Sequence, residues 1–275
     1  MIKTPIEQIT NVQTIELLKE LHILTRDGKI NQDSRRKLKQ IYHLTQFIEP
    51  LLEELKQTEK PFSLVDHGAG KSYLGFLIYD FYLKNLEQSH IFGIETRSEL
   101  VDKSINLQKK LKFDRMSFFN LSVQDSIQCK EIPAEVDLVT ALHACDTATD
   151  DAIEFALQKK AKHIVLVPCC QAEVASVLKK NKASQLKSPF VELWRHPLHT
   201  REFGSHLTNI LRCLRLEAHG YQVTVTEFVG LEHSMKNELI IGSLRSGAHR
   251  RTASERVQFY LSEFGLEELT ERFKV

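Results

Sequence analysis

Phe62-Ser63-Leu64-Val65-Asp66-His67-Gly68-Ala69-Gly70-Lys71-Ser72 reads as a short apolar strand that runs into a glycine turn and then into the amphipathic run from Tyr73 to Leu86. A strand ending in an acidic residue, with glycines at alternate positions, lets the backbone approach a ligand closely. It also aims the free N–H groups of the following helix at that ligand. Downstream, Ile91-Phe92-Gly93-Ile94 ends in Glu95 and leads into a second helical run from Arg97 to Leu111. In dinucleotide-binding sheets the acid that takes the ribose hydroxyls closes the second strand, about 20 residues past the glycines. Glu95 is therefore the expected ribose ligand, with the interval lengthened by a long first helix.

Three cofactor classes use such a turn, and the residues separate them. A phosphate-binding P-loop needs a Gly where Val65 stands, so Gly70-Lys71-Ser72 matches only its second half. A nicotinamide fingerprint needs a third Gly where Tyr73 stands. S-adenosylmethionine carries no phosphate and suits Asp66-His67-Gly68-Ala69-Gly70 best. A bare strand-to-helix turn without a ligand would leave the pairing with Glu95 unexplained.

The elements on either side of the turn give the fold class. The first sixty residues carry no strand pattern and read as helices over 6–24 and 32–57, broken near Asp27-Gly28, with Pro50 expected to kink or end the second. From Pro61 onward, strands at 62–65, 90–94, 116–120, 137–141 and 163–167 interleave with helices at 73–86, 98–111, 149–159 and 171–180. That alternation is a parallel, doubly wound sheet. A helix over 201–219 then precedes β-branched segments at 222–229 and 238–243, joined by a loop, 230–237, too short for a helical crossover. The last pair is expected to be antiparallel. The expected architecture is a Rossmann-like doubly wound α/β sheet of the class I methyltransferase type with a C-terminal antiparallel hairpin. It would span 61–243, after an N-terminal helical segment over 1–60 and before a helical extension over 244–275.

With 275 residues, 42% hydrophobic and 27% charged, the composition is that of one large α/β domain with a helical extension rather than two cores. No apolar run approaches a membrane span, and Met1-Ile2-Lys3-Thr4-Pro5 does not begin a secretory signal, so a cytoplasmic protein with no membrane association is expected. Five cysteines at irregular spacing fit reduced thiols, and none has zinc-ligand spacing, so no metal is expected. Net charge is only +1, yet basic residues cluster at Arg35, Arg36, Lys37 and Lys39, at Arg195, Arg201, Arg212 and Arg215, and at Arg245, Arg250 and Arg251. Taken singly such clusters are solvated helix faces; flanking one site, they form a footprint for nucleic acid.

In open α/β sheets ligands bind beyond the carboxyl ends of the strands, and polar and thiol residues collect there. The third strand leads to Ser122-Val123-Gln124-Asp125, the fourth to Leu142-His143-Ala144-Cys145-Asp146-Thr147-Ala148-Thr149-Asp150, and the fifth to Pro168-Cys169-Cys170-Gln171. Together with Glu232-His233-Ser234-Met235-Lys236-Asn237, these stretches resemble a methyltransferase group. It includes the tRNA acceptor-stem ribose 2′-O-methyltransferases, the glutathione S-transferase C-terminal domain-containing protein and several methyltransferase-like proteins. That group carries His-x-Cys-Gly-x-Ala-Thr-Asp after the fourth strand and paired cysteines after the fifth. Here Asp146 stands where Gly is usual, and Gln171 where an aromatic residue or His often follows the cysteines.

The resemblance implies an S-adenosylmethionine-dependent methyltransferase acting on structured RNA, tRNA or rRNA. A protein side chain or small molecule, or a cofactor-binding module without catalysis, are the alternatives. Asp66, Gly68 and Gly70 would hold the methionine end of the cofactor, Glu95 the ribose, and Ser122 and Val123 the adenine edge. His143, Cys145, Asp146, Cys169 and Cys170 would surround the transferred methyl, with His143 or Asp146 assisting proton removal and the thiols shaping the pocket. Arg35, Arg36 and Lys39, helped by Arg201 and Arg212, would grip RNA. Each residue also has a plain reading: His143 as a strand-end hydrogen-bonding group, the cysteines as small buried hydrophobes, and Asp146, Thr149 or Asp150 as a helix cap.

Overall fold

Ser63–His67 and His163–Val167 are buried at every position, as strands covered by helices on both faces must be. The flanking strands behave differently. Met116–Asn120 and Tyr221–Glu227 alternate toward exposure, which marks them as sheet edges. The computed structural model describes residues 12–29, 31–86, 89–142, 144, 146–168, 171–181, 191–228, 238–245 and 250–275.

Two helices come first, α1 (Val12–Glu20) and α2 (Gln32–Lys56). The sheet then alternates: β1 (Ser63–His67), α3 (Tyr73–Ile78), β2 (His90–Glu95), α4 (Ser98–Leu111), β3 (Met116–Asn120), α5 (Val123–Gln128), β4 (Leu138–Leu142), α6 (Thr147–Gln158), β5 (His163–Val167) and α7 (Glu173–Lys180). The long helix α8 (Pro197–Ala218), strands β6 (Tyr221–Glu227) and β7 (Glu238–Leu244), and α9 (Arg250–Glu263) complete the chain. The strand order is β3-β2-β1-β4-β5-β7-β6. Strands β1 to β5 are parallel, and β7 runs antiparallel to both β5 and β6. This is the class I methyltransferase arrangement, with the order reversing between β1 and β4, where open sheets bind ligands.

Alternation along β1 separates two cores. Leu64 joins Leu17, Leu18, Ile48, Leu52 and Phe76 on one face, while Val65 joins Ile94, Val139, Ile153, Phe155 and Ile164 on the other. The N-terminal helices thus share a core with the sheet. Thr14 of α1 also donates to the buried Asp80 carboxylate at 2.6 Å. A third cluster, including Val174, Trp194, Leu207, Leu211, Val257 and Phe264, joins α7, α8 and α9.

Several local expectations are corrected. Helix α2 continues through Pro50 to Lys56. Pro50 is exposed, so the carbonyl deprived of its N–H partner can turn to water. The first helix stops at Glu20 because His22 takes a left-handed conformation (φ 54°) and the N–H groups of Ile23 and Leu24 fold back on the Leu18 carbonyl. The part of that expected helix before residue 12 lies outside the described residues. Helix α3 widens into a π-turn over Tyr79–Leu83, whose end is closed by the Arg115 guanidinium bonding the carbonyls of Leu83 and Lys84 at 2.9 Å each. Helix α5 was unexpected. Its six residues are too few to show periodicity, and only the Ser122 cap, bonded by the Asp125 N–H at 3.2 Å, announces it.

Candidate active site

The turn after β1 is docked onto β2 by two hydrogen bonds. Ala69 N–H donates to the Ile94 carbonyl at 2.9 Å, and Gly70 N–H to Glu95 Oε2 at 2.8 Å. Gly68 (φ +65°) and Gly70 (φ +59°) pass through the left-handed region that other residues rarely adopt. Asn120 Nδ2 then donates to the Glu95 carbonyl at 3.0 Å, tying in the end of β3, and Ser122 and Val123 begin α5 just beyond it. The first three strand ends therefore form one continuous rim.

Glu95 is the acid that faces this rim. Its carboxylate also accepts from the Arg97 N–H at 3.1 Å and from the Arg97 guanidinium at 3.0 and 3.2 Å. Burial pushes its pKa up, but the bonds from Arg97 and Gly70 prevail and hold it below the usual carboxylate range. Arg97 is 61% exposed, so its side chain can yield one oxygen to another donor at little cost.

Asp66 has a different place from the expected one. Only 2% exposed, it accepts from Ser72 Oγ at 2.9 Å and Thr140 Oγ1 at 3.0 Å, and from the Gly75 N–H. Burial raises it to about 6 against those bonds. It clamps the underside of the turn rather than reaching outward. Gly75 makes this possible, because a Cβ there would stand 2.5 Å from Ser72 Oγ.

His67, which the glycine-turn motif contains without giving it a role, is buried against Phe155 with ring centroids 5.3 Å apart, and neither ring nitrogen has a hydrogen-bond partner among the described residues. Burial lowers its pKa to about 4, with Glu95 pulling the other way, so the ring is neutral. A buried, unsatisfied imidazole beside the glycine turn is uncommon. The signal available in the sequence was a polar residue at the last, inward-facing position of an apolar strand.

At the other half of the mouth, His143, Cys145, Cys169 and Cys170 lie outside the described residues, as does the Glu232–Asn237 stretch. Their neighbours are held firmly. Thr149 Oγ1 donates to the Ala144 carbonyl at 2.6 Å, and Asp146 Oδ1 accepts from Ala172 N–H at 2.9 Å and Glu173 N–H at 3.3 Å. Asp146 thus joins the β4 and β5 loops and caps α7 through Oδ1. Its backbone (φ 49°, ψ −120°) is that of a glycine position, which accounts for Gly in the group it resembles. Gln171 is turned inward, 3% exposed, accepting from Ser205 Oγ at 2.7 Å and donating to Asn209 at 3.4 Å.

The expected substrate grip is partly overturned. Arg212 is fully buried, bonded to Asp150 at 2.9 and 2.6 Å, to Asn209 at 3.1 Å and to the Asp146 carbonyl at 2.8 Å. It locks α8 to the β4 loop and is not available to a polyanion. Arg215 is likewise buried and paired with Glu154. Arg35 and Arg201 are exposed, the latter bonded to Glu202 at 2.8 Å. The side chains of Arg36 and Lys39 lie outside the described set.

Residues 36–177, more than half of the chain, match the sequence pattern of a methyltransferase domain family. The chain belongs to that family. The methyltransferase takes its methyl group from S-adenosylmethionine. Among solved structures it is similar to a Klebsiella pneumoniae protein assigned as an O-methyltransferase, at 8% identity and TM-score 0.50, covering 88% of this chain and 94% of that one. A Staphylococcus aureus protein assigned as a caffeoyl-CoA O-methyltransferase matches at 9% identity and TM-score 0.47, covering 88% and 96%. The N-terminal domain of human METTL16, solved in complex with SAH, matches at 10% identity and TM-score 0.46, covering 75% and 70%. At such identities the likeness is one of fold. A comparison with curated proteins finds no match. Among the described residues of the methyltransferase, no helix is long and apolar enough to cross a membrane.

Proposed function

We propose that this methyltransferase modifies RNA, and that its cofactor lies on the rim formed by Gly68, Gly70, Glu95, Ser122 and Val123. The observation that carries the cofactor assignment is the Gly70–Glu95 hydrogen bond, which makes one cradle of two strand ends remote in sequence. S-adenosylmethionine supplies an activated methyl on a sulfonium, so the chain's own residues have to orient the acceptor, exclude water and take up a proton. Gly68 and Gly70, with no Cβ, let the main chain approach the cofactor closely, Glu95 offers its carboxylate to the ribose hydroxyls once Arg97 yields, and Asp66 stiffens the turn from below. Proton removal falls to His143 or to Asp146 in this reading, the latter through Oδ2 since Oδ1 is engaged as a cap. Cys145, Cys169 and Cys170 shape the methyl channel.

RNA as acceptor is supported by the paired motifs after the fourth and fifth strands and by the exposed Arg35 and Arg201. A protein or small-molecule acceptor is the second reading, favoured by the burial of Arg212 and Arg215. Calorimetry tests the cradle. Glu95→Ala is expected to weaken S-adenosylhomocysteine binding at least about tenfold, the scale of charged hydrogen bonds lost. Gly68→Val, a β-branched residue at positive φ, is expected to abolish binding. Folded variants that bind like the parent would place the cofactor elsewhere. Transfer of labelled methyl to RNA rather than to protein decides the acceptor.

A further inference from the structure

Three lysines distant in sequence meet beside the glycine turn. Lys71 from the turn and Lys103 and Lys110 from α4 line a cavity of about 370 Å³ closed on the opposite side by Glu20 and Leu21 at the end of α1. On α4, Lys103, Asn106, Leu107 and Lys110 follow helical spacing and so share one face toward the cavity. The Lys110 ammonium is pinned between Glu16 at 3.1 Å and Glu20 at 2.7 Å. Among the described residues Lys71 and Lys103 have no carboxylate within ion-pair distance. Lys71 lies over the ring of Tyr73, 5.9 Å from its centroid, and Tyr73 is one of few large aromatic side chains left well exposed, at 39%.

An exposed aromatic ring next to a cleft lined by lysines is the combination that holds an unpaired nucleotide. The base stacks on the ring while the cations take the phosphates on either side. We infer that this cleft, with the Tyr73 ring that adjoins it at Lys71, binds single-stranded RNA, a base lying against Tyr73 and backbone phosphates on Lys71 and Lys103. The inference rests on RNA being the acceptor and adds to Arg35 and Arg201 a grip beside the cofactor turn, where the buried Arg212 offers none. Asn106 adds a neutral donor to the same wall, and Leu107 on it and Leu21 across from it make part of the lining apolar, which strengthens the charge contacts.

The two kinds of contact respond differently to salt. With a single-stranded RNA oligonucleotide titrated between 50 and 200 mM salt, Lys71→Glu and Lys103→Glu should each flatten the log–log slope by about 1 and weaken binding. Tyr73→Ala should weaken binding about tenfold with the slope unchanged, and Tyr73→Phe should restore it. Glu20→Gln, which frees Lys110 from one of its carboxylates, should tighten binding. S-adenosylhomocysteine affinity of the Lys103→Glu variant, unchanged from the parent, establishes that the fold and the cofactor cradle are intact. If the parent binds RNA but these variants match it in affinity and slope, the cleft is not the RNA site while RNA stands as the substrate. A parent that binds no RNA at 50 mM salt overturns both.

Discussion

Asp146 shows how one residue carries two opposed effects. Its backbone conformation, φ 49°, is costly for any residue with a Cβ, about 1–3 kcal/mol. Its carboxylate offsets that cost by capping the first turn of α7 through Ala172 and Glu173 N–H, worth about 1 kcal/mol. Asp146→Gly relieves the strain and loses the cap, and should melt within a few degrees of the parent. Asp146→Ala loses the cap and keeps the strain, and should be about 1–2 kcal/mol less stable. Thermal unfolding of the two variants side by side provides the measurement, and coincident melting curves would show that the backbone strain is not real. The Gly expected from the resemblance and the Asp found are thus two solutions to one backbone requirement.

The joint between α6 and α8 depends on a buried ion pair. Arg212 is 0% and the Asp150 side chain 3% exposed, and both guanidinium edges are occupied by Asp150, Asn209 and the Asp146 carbonyl. Asp150→Asn leaves a buried guanidinium without its counter-charge and should lower the unfolding free energy by about 3–5 kcal/mol. The paired change Arg212→Met with Asp150→Leu removes both charges and should recover most of that loss, because two desolvation penalties vanish together. Urea denaturation reads both effects. A paired variant no better than Asp150→Asn would mean that the pair fixes the joint by geometry rather than by charge balance. Through the Asp146 carbonyl this element also sets the position of the β4 loop, so methyl transfer should fall in Asp150→Asn even where it remains folded.

Across the whole molecule, buried titratable groups set the dependence of stability on pH. Burial lowers both His67 and His163 to about 4, so between pH 4 and 6.5 the unfolded chain takes up a proton at each that the folded chain refuses. Stability from these two is present above pH 6.5 and declines as pH falls. Asp66, raised to about 6 by burial, acts in the opposite direction, because the folded form holds a proton there that the unfolded form has released. The two histidines outweigh the single aspartate by about one proton near pH 5, which corresponds to a loss of about 1.4 kcal/mol per pH unit on acidification. Denaturant titrations at pH 7, 6, 5 and 4.5 should show this slope, and His67→Phe should remove most of it. A flat profile in the parent would contradict the burial of these histidines.

Local rules explain how much of this was legible. Apolar runs of strand length, their spacing by helical segments and a terminal loop too short for a crossover determined the five parallel strands and the antiparallel pair, because those signals need only neighbouring residues. The glycine turn and Glu95 were readable for the same reason, each closing its own strand. Side-chain direction was not. Asp66 turned inward because Thr140, 74 residues away, and Ser72 offered it hydroxyl groups under the sheet. Arg212 was withdrawn from solvent by Asp150, 62 positions distant. Lys71, Lys103 and Lys110 formed a cleft only when α1 and α4 packed together, a convergence that no sequence cluster announces. Burial and charge pairing are sums over contacts between remote segments, so which basic groups meet solvent was decided by the tertiary structure alone.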